Sequence, residues 1–150
     1  MNIISDNFAL TDLLPTAVAA ILAVTQWYWN AVCAKRDELN DLRKRLDRIL
    51  QMTIAHPELE HKSVTEKWIE NRESPDETFM RYDQFCNILF NFLVAVYNYF
   101  DGDVQKIEKF IDVKSWVRLH RQNWEHPYDI NENVDAYDKE FRDFINSYLH

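Results

Sequence analysis

Residues 13–34 read LLPTAVAAILAVTQWYWNAVCA, a run of 22 side chains without a charge. As a helix this run reaches roughly 33 Å, at about 1.5 Å per residue, so it can cross the hydrocarbon core of a bilayer. Three consecutive aromatic residues in its second half precede a basic cluster, as is typical of the headgroup level of a membrane. The run predicts a transmembrane helix over residues 13–34, with membrane-interface side chains at Trp27, Tyr28, Trp29, Lys35 and Arg36.

The charges on either side of this helix give it a direction. No Lys or Arg occurs in residues 1–12, whereas residues 35–48 contain six. By the positive-inside rule, the basic side remains in the cytoplasm. We therefore expect residues 1–12 to form a short extracytoplasmic N-terminus and the C-terminal domain to be cytoplasmic.

Other interpretations of the run remain open. Its strictly apolar part, residues 13–25, is only 13 residues long, and two polar amides interrupt the remaining residues. A segment of that length also fits a buried core helix or an interfacial helix. A cleaved signal peptide fits less well, because residues 1–12 contain two aspartates and no basic residue.

Small and polar residues recur along one face of the predicted membrane helix, at spacings of three and four. Small residues allow membrane helices to approach closely, and an amide in lipid needs a partner or water. The pattern predicts that this face meets other copies of the helix or lines an aqueous pore; the alternative is that the two amides sit at the inner interface. We call this face the seam, and it consists of Thr16, Ala19, Ala23, Gln26, Asn30 and Cys33.

The rest of the chain is predicted to be helical. One glycine and four prolines leave few turn signals, which favours an all-α protein with short loops. Residues 51–150 contain 11 Lys and Arg against 19 Asp and Glu, a balance that disfavours generic binding to nucleic acid. We expect residues 35–55 to extend the membrane helix into the cytoplasm and residues 56–150 to form a helical bundle. The extension carries an apolar stripe of Leu39, Leu42, Leu46, Ile49 and Leu50.

Within the bundle, residues 84–100 are uncharged and apolar on nearly every side. Three asparagines and the short length favour a central core helix over a second membrane span. Residues 84–100 form the second half of a longer predicted helix, which Ser74 is expected to cap at its start and Gly102 to end in a left-handed conformation. Further helices are predicted over residues 57–73, 104–111, 113–125 and 134–149. The last of these has a predicted inward face of Tyr137, Phe141, Phe144, Ile145 and Tyr148.

The strong motifs of catalytic and metal sites are absent from the sequence. It contains no Gly-rich phosphate loop, HExxH or CxxC motif, and Cys33 and Cys86 are expected to be free thiols. We expect no metal, no cofactor and no small-molecule substrate. A basic group around residues 114–126 is predicted either to be a solvated face or to carry chemistry; it consists of Lys114, Arg118, His120, Arg121 and His126.

The spacing from Arg121 to His126 resembles the R-x4-6-H motif of HEPN domains, which are all-α bundles. In active members of that family, the resemblance implies, Arg and His pair across a dimer to cut RNA: the His positions a proton and the Arg stabilises phosphate charge. The chain departs from the motif at Gln122, where Asn, Asp or His is usual. Arg121 and His126 are therefore candidate catalytic residues, with an alternative role in structure or assembly.

The whole arrangement is similar to HEPN-related single-pass bacterial membrane proteins, a family that includes accessory membrane proteins of type VI-B CRISPR systems. This resemblance implies an inner-membrane homo-oligomer that forms or gates a pore in antiphage defence, with the HEPN-like bundle serving assembly rather than catalysis. The implied partners are other copies of the chain, membrane lipid, and a CRISPR effector complex or RNA. Two alternatives stay open: a membrane-tethered ribonuclease, and a membrane-anchored scaffold for a cytoplasmic partner.

Overall fold

The computed structural model describes residues 8–126 and 133–150, which form helices and no strand, as the all-α prediction requires. Residues 1–7 of the predicted N-terminal segment lie outside the described residues. The α-helices are α1 (Phe8–Ala55), α2 (Lys62–Thr65), α3 (Trp68–Asn71), α4 (Glu77–Tyr99), α5 (Val104–Phe110), α6 (Val113–Leu119), α7 (Arg121–Glu125), α8 (Asn133–Ala136) and α9 (Lys139–Asn146), and a 3-10 helix covers Pro57–Glu60.

Helix α1 is 48 residues long and starts at Phe8, earlier than the predicted start at residue 13. Pro15 therefore lies inside the helix rather than in its first turn. A proline removes only one backbone donor, and no glycine precedes it to stop the helix.

The chain divides into two units, Met1–Asn40 and Asp41–His150. The described part of the first unit belongs entirely to α1. From residue 15 to residue 40 its side chains are exposed, apart from Cys33 and Leu39, which are half-buried.

The second unit is built around α4. Eight side chains of this helix are buried, and the predicted core helix over residues 84–100 is confirmed. Aromatic rings surround it: the Phe90 and Trp124 centroids are 4.8 Å apart, and those of Tyr97 and Phe144 are 5.0 Å apart. The buried side chains of α4 are Tyr82, Phe85, Cys86, Leu89, Phe90, Phe92, Leu93 and Val96.

The end of α1 contributes to this core through part of the predicted stripe. Leu42 and Ile49 are buried, and Leu46 packs against them half-buried. Leu50 is exposed instead, because it follows Ile49 directly and so points about 100° away from it around the helix.

The predicted helix over residues 57–73 is wrong as a single element. The chain forms the 3-10 helix, α2 and α3 there, and buries Leu59, Val64 and Trp68. In one straight helix, Leu59 and Val64 would point about 140° apart. The turns allow both side chains to reach the core.

Two further helices are interrupted by residues that contact distant parts of the chain. The predicted helix 113–125 breaks at His120, whose backbone has φ −101° and ψ 18°. The predicted helix 134–149 breaks at Tyr137 and Asp138, although its predicted inward face is buried. Neither break contains glycine or proline, so the local sequence did not indicate it. The buried residues of the last segment are Tyr137, Phe141, Phe144, Ile145 and Tyr148.

Aspartate side chains cap helices α4, α5 and α6 of the second unit. The Asp76 carboxylate accepts from the backbone N–H of Thr78 at 2.8 Å, so Asp76 rather than the predicted Ser74 is the N-cap of α4. Asp112 caps α6 in the same way, accepting from Ser115. The hydrogen bonds to these exposed carboxylates lower the pKa of both below the usual aspartate range.

The turn after α4 contains the single glycine of the sequence. Gly102 has φ +72°, the left-handed conformation that was predicted, and Asp101 before it has φ +51°. A Cβ atom at Gly102 would lie 3.0 Å from the Tyr97 hydroxyl oxygen. The backbone conformation therefore favours glycine at this position, and a side chain there would also crowd the Tyr97 hydroxyl.

Candidate functional site

The exposed apolar part of α1 is the most unusual surface of the described residues. Among these residues, one helical segment, within Pro15–Ala55, is long and apolar enough to cross a membrane, and its apolar window contains no buried residue. The side chain of Trp27 is 72% exposed, and large aliphatic residues around it are similarly uncovered. The exposed large apolar side chains of this segment are Val18, Ile21, Leu22, Val24, Trp27, Tyr28, Trp29 and Val32.

The predicted interface residues extend this surface to its basic end. Trp27, Tyr28 and Trp29 are exposed, and so are Lys35 and Arg36. The order from apolar to aromatic to basic side chains is thus kept along a continuous helix.

The seam lies along the same helix. Thr16, Ala19, Ala23, Gln26 and Asn30 are exposed, and Cys33 is half-buried. The Gln26 amide donates from Nε2 to Asn30 Oδ1 at 3.0 Å, a bond that their spacing of four residues permits.

This hydrogen bond satisfies the two amides only in part. A primary amide has two N–H donors and an oxygen with two lone pairs. The bond uses one donor of Gln26 and one lone pair of Asn30. The remaining polar capacity requires water or a side chain on a neighbouring helix, because an unsatisfied polar group in hydrocarbon costs several kcal/mol.

Arg121 and His126 lie at the two ends of α7. Arg121 begins the helix and its guanidinium holds the Glu125 carboxylate twice, at 3.0 Å from Nε and 3.2 Å from the second nitrogen. His126 follows Glu125, is exposed, and accepts at its backbone oxygen from Arg72 at 3.4 Å. To contact a phosphate group, Arg121 would have to exchange the Glu125 carboxylate for it.

The basic group around these residues is less uniform than the sequence suggests. Lys114, Arg118 and Arg121 are not buried, but His120 is fully buried. Its inclusion in a solvated face was wrong, because the break between α6 and α7 turns the imidazole into the core.

His120 joins two other polar side chains that sequence reasoning did not connect. Its Nδ1 lies 3.1 Å from the Tyr82 hydroxyl and 3.9 Å from Cys86 Sγ. Burial raises the pKa of the Cys86 thiol and lowers the pKa of His120 to about 4, so both are neutral at neutral pH. A thiol and an imidazole without charge or solvent access do not form a nucleophile–base pair, so this cluster is part of the core.

Metal coordination has no candidate cluster in the described part of the chain. Within residues 8–126 and 133–150, no group of three or more His, Cys, Asp or Glu side chains is placed to hold a metal ion. Comparisons of the chain with protein families, with curated proteins and with solved structures find no match.

Proposed function

We propose that this protein is a single-pass bacterial inner-membrane protein, with its N-terminus outside and its C-terminal domain in the cytoplasm. Copies of it assemble around the seam of α1 and form or gate a pore in antiphage defence. The observation that carries the proposal is the exposed apolar segment of α1, which combines a length sufficient for a bilayer with a hydrogen-bonded amide pair.

The exposed apolar side chains support membrane insertion. Transfer of one large aliphatic side chain from water to an apolar environment is favourable by about 1.5–3 kcal/mol. Ile21, Leu22 and Val24 are each 62–64% exposed, so each retains most of this free energy for contact with lipid. A contiguous apolar surface of this kind marks a membrane or protein contact rather than a solvated surface.

The seam supports assembly. Alanines at residues 19 and 23 allow close approach of a neighbouring helix, and Gln26 and Asn30 keep polar groups free to bond across it or to water. A ring of such helices would place the amides around an axis. The amides would then keep that axis wet, whereas an apolar ring of the same width dewets and blocks ions.

The cytoplasmic domain is proposed to be HEPN-like and to serve assembly. Its all-α architecture and the Arg121–His126 spacing support the resemblance, and its role in defence rests on that resemblance alone. The pairing of Arg121 with Glu125 favours assembly over RNA cleavage, because it occupies the cation that would stabilise phosphate charge. A CRISPR effector complex or RNA is the partner that the resemblance implies.

The test is a double substitution in the seam, Gln26→Leu with Asn30→Leu, in protein reconstituted into dye-loaded liposomes. We expect the variant to insert fully, because it is more apolar, and to lose dye release by at least about tenfold as the constriction dewets. The matched control is Ile21→Leu with Val24→Leu, which changes two exposed aliphatic positions and should keep release at the wild-type level.

Three measurements make the outcome decisive. Alkaline carbonate extraction reports insertion, and native mass spectrometry in detergent reports the oligomer. Dye release is compared at equal membrane-bound protein. Extraction of the protein by carbonate would show that it does not span the membrane, and a monomer in detergent would exclude the pore. Unchanged dye release in the seam variant, together with reduced release in the control, would show that the seam does not line the pore.

A further inference from the structure

A cleft in the second unit combines positive charge with buried polar atoms that have no partner. It has a volume of about 440 Å³, within the usual range of small-molecule sites. It opens between α2 on one side and α6 and α7 on the other. Its lining residues are Lys62, Thr65, Glu66, Ser115, Arg118, Leu119, Arg121 and Gln122.

Two polar atoms at this cleft have no hydrogen-bond partner among the described residues. One is the hydroxyl oxygen of Thr65, a residue that is 1% exposed, and the other is Oε1 of the half-buried Gln122. A buried polar group without a partner destabilises the folded state, so native proteins rarely keep two in one place without a use. A ligand that accepts from Thr65 and donates to Gln122 would remove both penalties.

The charges of the cleft indicate an anion. Of its three cations, Lys62 lies 3.8 Å from the Glu66 carboxylate and Arg121 is paired with Glu125, so Arg118 supplies the main positive charge of the cleft, in a domain that is acidic as a whole. Arg118 is held in place by a bond from its Nε to the backbone oxygen of Tyr148 at 3.0 Å, which leaves its terminal nitrogens available to the cleft. An arginine anchored in this way loses little freedom on binding and suits the geometry of a phosphate.

We infer that this cleft binds a small phosphate ester that also carries a hydrogen-bond donor, such as a hydroxyl group. The phosphate accepts from Arg118, Lys62 and the Thr65 hydroxyl, and the ligand hydroxyl donates to Gln122 Oε1. A small molecule is favoured over RNA, because the cleft is bounded and the surrounding domain repels a polyanion. Binding here is independent of the proposed pore, since every residue that lines the cleft belongs to the second unit.

The test uses the full chain in detergent and isothermal titration calorimetry with three probes: ribose 5-phosphate, inorganic phosphate and ribose. We expect ribose 5-phosphate to bind at least about tenfold more tightly than inorganic phosphate, and ribose not to bind. Thr65→Val is the most informative variant, because it removes the unpartnered hydroxyl and conserves volume. It should lower the affinity for ribose 5-phosphate about tenfold, while keeping or raising the melting temperature of the unliganded protein.

Arg118→Gln should lower the affinity for ribose 5-phosphate by about tenfold or more, since it removes a charged donor. Its matched control is Lys114→Gln, which makes the same change of charge on α6 outside the cleft lining and should leave the affinity unchanged.

Each contrary result overturns the inference. No binding of ribose 5-phosphate at millimolar concentration means that water alone satisfies the two polar atoms. Equal binding of inorganic phosphate reduces the cleft to a simple anion site. Unchanged affinity in Thr65→Val would show that the ligand binds outside this cleft. If a 5′-phosphorylated RNA oligonucleotide binds more tightly than ribose 5-phosphate and competes with it, the cleft is an RNA site.

Discussion

The buried imidazole of His120 predicts a specific loss of stability in mild acid. Its Nδ1 contacts the Tyr82 hydroxyl, and its Nε2 is buried with no hydrogen-bond partner among the described residues. Protonation would place a charge in this apolar setting, so burial lowers the pKa from 6.5 to about 4.

The sign and size of the effect follow from this pKa difference. Between pH 6.5 and about 4 the unfolded chain binds a proton that the folded protein excludes, so stability falls as the pH falls through this range. The loss amounts to about 2 kcal/mol between pH 7.5 and pH 5, and about 3 kcal/mol once the pH is below 4. For a domain of this size, 2 kcal/mol corresponds to a melting temperature lower by about 8–15 °C.

The assay is thermal unfolding of the full chain in detergent, followed by near-ultraviolet circular dichroism at pH 7.5 and pH 5. The perturbation is His120→Gln, which removes the titration, and the matched control is His150→Gln, which removes an exposed histidine. Titrating carboxylates contribute equally to all three proteins, so they cancel in the comparison. We expect the wild type and the control to lose about 2 kcal/mol more than His120→Gln between the two pH values; an equal pH dependence in all three would refute a buried neutral imidazole.

Three further predictions concern topology, chemistry and the turn after α4. A reporter that is active only in the cytoplasm, fused after His150, should be active; activity of a periplasmic reporter alone would reverse the topology. Purified protein should show no RNA turnover, and neither His126→Ala nor Arg121→Ala should change the result of that assay. RNA turnover by the wild type that is lost in His126→Ala would instead support the ribonuclease alternative. Gly102→Ala should lower the free energy of unfolding by about 1 kcal/mol or more in a denaturant titration, because alanine would have to adopt a left-handed φ and its Cβ would crowd the Tyr97 ring. An unchanged denaturation midpoint would contradict that strain.

The long apolar helix was predictable because its signal is local. Its 22 uncharged residues, the aromatic group and the basic cluster follow one another in the chain, and a helix preserves their order. The residues of the seam share a helix face for the same reason, since residues three and four apart do so whatever the rest of the chain does; the contact of this face with other copies or a pore stays a prediction. The Gln26–Asn30 bond confirms the shared face of these two residues.

The core helix was also predictable, because apolar side chains on nearly every side leave no surface for water. The predicted inward residues of the last segment are buried even though its helix is broken at Tyr137. Periodicity thus identified which side chains are buried more reliably than it identified where helices end.

Tertiary structure alone decided the contacts between residues far apart in the chain. Tyr82 and His120 are 38 residues apart, and Thr65 and Gln122 meet one cleft from different helices. No spacing rule connects such pairs, because they depend on how the short helices after residue 56 turn, and those turns contain little glycine or proline. The amino-acid sequence by itself determined a long apolar helix and an all-α domain. Only the packing of that domain buried His120 in the core and brought the unpartnered atoms of Thr65 and Gln122 to a basic cleft. The physical reason is that the burial of a side chain and the charge around it depend on residues from many parts of the chain.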